Sequence, residues 1–167
     1  MLWLVPALLT VLAAPPDASA LLSSPDRRVR SMDRRINQLL EIGVDRSPTF
    51  AQLVRTLSAS DVIVYVERSR DLPKTLAGRL VLLPIAGAHR YLRIQIRGDL
   101  TAAESIALIG HELQHALEIA GAPAVRDATT MLSLYQKIGH PSAGTLHTFD
   151  TDAAQAAGRQ VRVELAS

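Results

Sequence analysis

Residues 101–121 read TAAESIALIGHELQHALEIAG, and this stretch decides the architecture of the chain. Thr101 followed three residues later by Glu104 is a capping box, in which hydroxyl and carboxylate each satisfy an N–H at the start of a helix. A helix therefore starts near Thr101, and Gly121 is the expected stop. At 100° per residue Ile106, Ile109, Leu113, Leu117 and Ala120 share one face and form the core stripe. His111 and His115 lie nearly opposite that stripe. Spaced i and i+4, they project together about 5–6 Å apart, so their imidazoles can converge on one Zn²⁺. Glu112, next to the first histidine, can face a zinc-activated water and take its proton, which makes the five residues an HExxH motif.

Outward from the helix, the period changes. Tyr91, Arg93, Gln95 and Arg97 alternate with Leu92, Ile94 and Ile96, as in a strand with one wet face, at a sheet edge or beside a cleft. Upstream, Arg79 to Ile85 reads as another strand, joined to it by a turn at Ala86-Gly87-Ala88, and Val62 to Val66 as a strand covered on both faces. Ser24-Pro25 opens a first helix that Gly43 should end, and Ser47-Pro48 opens a second. Downstream, Pro123 is the expected start of a helix stopped by Gly139, and a last helix is expected from about Asp150 to Leu165. The fold class is α+β, with a small, mostly antiparallel sheet of about three strands.

Composition narrows the chemistry. The chain has 167 residues and no cysteine, so thiolate zinc sites, disulfides and a cysteine nucleophile are excluded, and any metal is held by His, Asp or Glu. Aromatic residues make up 4%, too few for base-stacking platforms, and a net charge of +2 gives no footprint for nucleic acid. Residues 2–14 are almost wholly apolar but fall short of the roughly 20 needed to span a bilayer. With Ala18-Ser19-Ala20 after them they read as a signal peptide, residues 1–20. That implies export to the periplasm, cell envelope or medium, with no membrane anchor left after cleavage. Residues 21–167 are then a single domain.

The sequence resembles the zincin metallopeptidases, particularly small secreted gluzincin-like ones, in the HExxH residues and in their setting of strands before the motif helix and helices after it. The resemblance implies that His111 and His115 are zinc ligands and Glu112 the general base of a peptidase acting on peptide or protein substrates. It also makes the strand carrying Tyr91, Arg93 and Gln95 the candidate for pairing with an extended substrate. A non-catalytic zinc-binding or pseudoenzyme module on the same scaffold is the alternative.

A catalytic zinc takes three protein ligands and leaves a fourth position open. Gly121 stands where a metzincin would have its third histidine. Glu118 lies on the motif helix itself, where three ligands in a row cannot close a tetrahedron, so it reads as a supporting or solvent-facing group. Asp150 is the leading third ligand, because the Ala-rich segment it opens can approach the motif helix closely. Asp152, Asp127 and His147 are the alternatives, with His140 behind them. His147 and Tyr135 are candidates to stabilise the transition state.

Overall fold

The computed structural model describes residues 17–85, 87–141 and 149–167. Most of the expected signal segment, and His147, lie outside them. The helices among the described residues are α1 (Ala18–Ser23), α2 (Arg34–Arg46), α3 (Pro48–Ser58), α4 (Ala102–Ala120), α5 (Ala128–Ile138) and α6 (Asp152–Leu165). The strands are β1 (Val29–Arg30), β2 (Val62–Ser69), β3 (Gly78–Leu82), β4 (Arg90–Arg97), β5 (His140–Pro141) and β6 (Phe149–Asp150). None of these helices is long and apolar enough to cross a membrane. Ala18 and Leu22 of α1, on either side of the expected cleavage point after Ala20, are buried in the core.

The class is α+β, but the sheet differs from the expected one. It has four strands in the order β1-β2-β4-β3, and two of its three pairings are parallel. Two features of the chain account for this. Val29 and Arg30 pair with Val64 and Tyr65 instead of joining a helix, and α2 and α3 make the crossover that a parallel neighbour requires. The β3–β4 hairpin then docks through β4, which places β4 in register with β2 from Val62↔Arg90 to Ser69↔Arg97. A second, two-stranded sheet pairs β5 with β6.

The pairing of β4 on both sides corrects the expected substrate strand. Its backbone groups are already committed to β2 and β3, so it cannot add a peptide. Leu92, Ile94 and Ile96 face the helices and are buried, while Tyr91, Arg93 and Gln95 lie half-exposed on the opposite face. There Tyr91 stacks on Tyr65, Gln95 bonds Glu67 and Arg79, and Arg93 pairs with Glu67. The free edge next to the helices belongs to β3.

Helix boundaries moved where a better cap was at hand. The first long helix starts at Arg34, because the Asp33 carboxylate accepts from Arg35 N–H. It runs through Gly43, where a Cβ would come within 2.9 Å of Phe50. Similarly α5 starts at Ala128 under a capping box made by Asp127 and Thr130, not at Pro123. The last helix starts at Asp152, since Thr151 takes the N-cap, and Asp150 is left outside it in β6.

Helix α4 runs through the core and is fixed at both ends. The Thr101/Glu104 capping box closes its start. At its other end the guanidinium of Arg90, only 1% exposed, donates to the carbonyls of Ile119, Ala120, Ala122 and Val125. It also makes a two-pronged bond to Asp61 (2.7 and 2.8 Å). Ile119 and Ala120 close the last turn of α4, and Ala122 and Val125 belong to the turn that follows, so Arg90 both caps α4 and ties it to the sheet. Along the other flank Ala154, Ala157 and Val161 bring α6 against α4, with Val161 facing Gly110.

Candidate metal centre

His111 and His115 stand one turn apart on α4, their ring centroids 4.8 Å apart and their planes almost perpendicular. Both direct Nε2 at one oxygen of Asp150. The distances to its Oδ1 are 3.5 Å from His111 and 3.6 Å from His115. The three ligand atoms lie within 4.8 Å of one another. In a tetrahedral zinc site with bonds near 2.0–2.1 Å, neighbouring ligand atoms are about 3.3 Å apart. The two nitrogen–oxygen distances are within a few tenths of an ångström of that value, and the three atoms, all within 4.8 Å of one another, could hold a metal ion once the imidazoles draw together. Two imidazoles and a carboxylate are a donor set for zinc and other first-row divalent ions.

The position of Asp150 follows from its neighbours. Thr151 caps α6 by accepting from Ala154 N–H, and Thr151 N–H donates to Asp150 Oδ1 (2.8 Å). Gln155 holds the other oxygen, Oδ2, at 3.0 Å. From behind, β5 pairs with β6, and Gly139 leads into that pairing. A Cβ on Gly139 would come within 2.8 Å of Asp150 O and 2.9 Å of Tyr135 O, both backbone atoms, so only glycine allows β6 to sit this close to the end of α5.

The outer ring nitrogen of His115 is also engaged: Nδ1 lies 2.8 Å from Glu118 Oε2. Burial depresses the His111 pKa and the nearby His115 adds to this, so His111 favours the neutral form that binds metals. Burial also works against charge on His115, but the bond to Glu118 and the carboxylates of Glu112, Glu118 and Asp150 outweigh it and raise the pKa.

Glu112 sits beside the triad and is 5% exposed. Burial lifts its pKa from 4.5 to about 7; the charge on His115 opposes the rise and that on Asp150 adds to it. Strand β3 comes close because Gly78 has no side chain: a Cβ there would lie 3.1 Å from Glu112 Oε1 and from Leu108. The triad and Glu112 line a cavity of about 290 Å³, walled by Leu76, Leu80, Met131, Leu132 and Phe149.

Along this cavity runs the free edge of β3. The bonds Arg97 N–H to Ala77 O and Leu83 N–H to Tyr91 O identify Ala77 and Leu83 as residues that bond to β4. By the alternation of an antiparallel pair, Gly78 and Leu80 turn their N–H and C=O away from β4, towards the open edge.

Of the other residues singled out from the sequence, Tyr135 lines the cavity, and the remaining described ones fall elsewhere. Asp152 is at the surface, 3.5 Å from His140. Asp127 is occupied in capping α5. Tyr135 packs edge-on against the His115 ring and donates its hydroxyl to the His115 carbonyl, while burial and the carboxylates of Glu118 and Glu112 push its pKa up. The β3 edge and Arg90 went unrecognised in the sequence. For Arg90 a signal existed, because it shares the parity of Leu92, Ile94 and Ile96 and so had to point inward. Compared with protein-family models, curated proteins and solved structures, the chain has no match.

Proposed function

We propose that the chain is a zinc-dependent peptidase of the zincin type, exported by its apolar N-terminal segment. The observation that carries this reading is the convergence of His111 Nε2, His115 Nε2 and Asp150 Oδ1 beside a buried Glu112. Zinc, when bound, polarises the scissile carbonyl and acidifies water. Glu112 takes a proton from the attacking water and delivers one to the leaving amine, and a carboxylate with a pKa near working pH suits both transfers. The outward N–H and C=O groups of Gly78 and Leu80 pair with the backbone of an extended substrate, which fixes its carbonyl without regard to side chain. The apolar wall of Leu76, Leu80, Met131, Leu132 and Phe149 takes an apolar side chain next to the cleaved bond.

The second reading is a non-catalytic zinc-binding module, favoured by the cavity volume, which is at the lower limit for a ligand pocket. One set of measurements separates the two. Protein loaded with one equivalent of zinc should cleave members of a broad peptide library, lose activity to a chelator and regain it with zinc. Glu112→Gln should bind zinc and cleave nothing. Stoichiometric zinc without any cleavage by the wild type supports the module, and no zinc binding at all refutes both.

A further inference from the structure

Glu118 is a carboxylate that the proposed reaction does not use. Its side chain is 10% exposed, and among the described residues its only ion-pair partner is His115. Burying a carboxylate this far is costly unless its oxygens are bonded. Here each oxygen is bonded to a different element. Oε2 receives His115 Nδ1 at 2.8 Å, and Oε1 receives the Thr151 hydroxyl at 2.6 Å. Thr151 is joined to Asp150 in the chain and holds Asp150 Oδ1 through its own N–H.

We infer that Glu118 and Thr151 form a bridge that places two metal ligands at once. This rests on the triad being a metal site. The spacing of His111 and His115 is already set by the turn of α4, but helix geometry does not set the position of Asp150, which reaches the site from β6. The bridge supplies that link. A proton on His115 Nδ1, donated to Glu118, leaves Nε2 with a lone pair for the metal. The second oxygen of the same carboxylate then fixes the turn that carries Asp150. Glu118 and Thr151 are thus positioning residues, and their contributions to metal affinity should be coupled.

The test is zinc affinity, measured on the metal-free full chain by competition with a chromophoric chelator, alongside circular dichroism to establish folding. Glu118→Ala should weaken zinc binding by about 10–100-fold and Thr151→Val by about 10-fold, in the range for groups that orient a ligand. Thr151→Ser, which keeps the hydroxyl, should stay within about twofold of wild type. In the Glu118→Ala background, Thr151→Val should cost little more. A full Thr151→Val loss in that background would reduce Thr151 to a helix cap and overturn the bridge, as would unchanged affinity in Glu118→Ala. If Glu118→Ala does not fold, equal losses in Thr151→Val and Thr151→Ser overturn it instead. A wild type that binds no zinc removes the metal-site reading itself, which is a different outcome from a zinc-binding wild type with uncoupled variants.

Discussion

Replacing Glu112 with glutamine should stabilise the metal-free protein, and by an amount that depends on pH. Burial holds the Glu112 pKa at about 7 in the fold, against 4.5 for an ordinary glutamate. Its folded value is raised, so between those two pH values the folded state keeps a proton that the unfolded state has released. Stability from this group is therefore intact below pH 4.5, falls as pH climbs to about 7, and is flat above. At about 1.4 kcal/mol per tenfold in proton affinity, the loss reaches about 3 kcal/mol. Glutamine has the same shape and does not ionise, so the variant should escape the loss. Wild type and Glu112→Gln should unfold at similar urea concentrations at pH 4.5. At pH 8, in excess chelator, the variant's midpoint should be about 1.5–2 M higher, taking a urea dependence of about 1.5–2 kcal/mol per molar for a domain of this size. His111 titrates in both proteins, while His115 loses the Glu112 charge that raises its pKa, so the difference between the curves reports Glu112 together with its coupling to His115. Parallel curves over the whole range, or a variant less stable at pH 8 than wild type, would refute the burial argument and the role drawn from it.

Arg90→Ala should cost about 3 kcal/mol, because it strips a buried donor from the carbonyls at and just beyond the end of α4 and leaves Asp61 without its partner, and calorimetry should show melting about 10 °C lower. Despite burial, which raises it, hydrogen bonds from Ser47, Gln160 and Thr49 hold the Glu164 pKa down to about 2. That lowered value contributes stability above the unfolded pKa of 4.5 that is lost as pH falls towards 2. Glu164→Gln should be destabilised by about 1–2 kcal/mol at pH 7, after allowance for its partial exposure, and not at pH 2, as read by urea unfolding. Gly139→Ala, which touches no ligand side chain, should displace Asp150 and weaken zinc binding by about 10-fold in the chelator competition. Gly78→Ala should push β3 off Glu112 and lower peptide cleavage by about 10-fold, with zinc affinity unchanged.

Local rules accounted for the helix that carries the chemistry. The Thr101/Glu104 box and the Gly121 stop bound α4 as written in the sequence, because both act over three or four residues. The i, i+4 spacing of His111 and His115 likewise needs only the helix itself to bring two nitrogens together. The sheet was less legible. Alternation along Tyr91–Arg97 gives a strand with two unlike faces, but it is silent on which strands flank it, and the parallel pairing with Val62–Ser69 put that strand in the interior. Val29 and Arg30 carry almost no strand signal of their own; they pair because β2 offers an unfilled edge.

The amino-acid sequence by itself determined the helix, the histidine pair, the glutamate between them and the absence of any thiolate ligand, since each depends on residue type or on neighbours within a turn. It narrowed the third ligand to a few positions with Asp150 at their head. The tertiary structure brings Asp150 to the histidines, while Asp127 caps a helix and Asp152 stays in solvent. It also decided which strand has a free edge and brought Thr151 to Glu118, whose other partner, His115, is one turn away on the same helix. These are long-range placements, fixed by how α6 packs on α4 and how β3 docks on β4, and such contacts join segments that no local pattern connects.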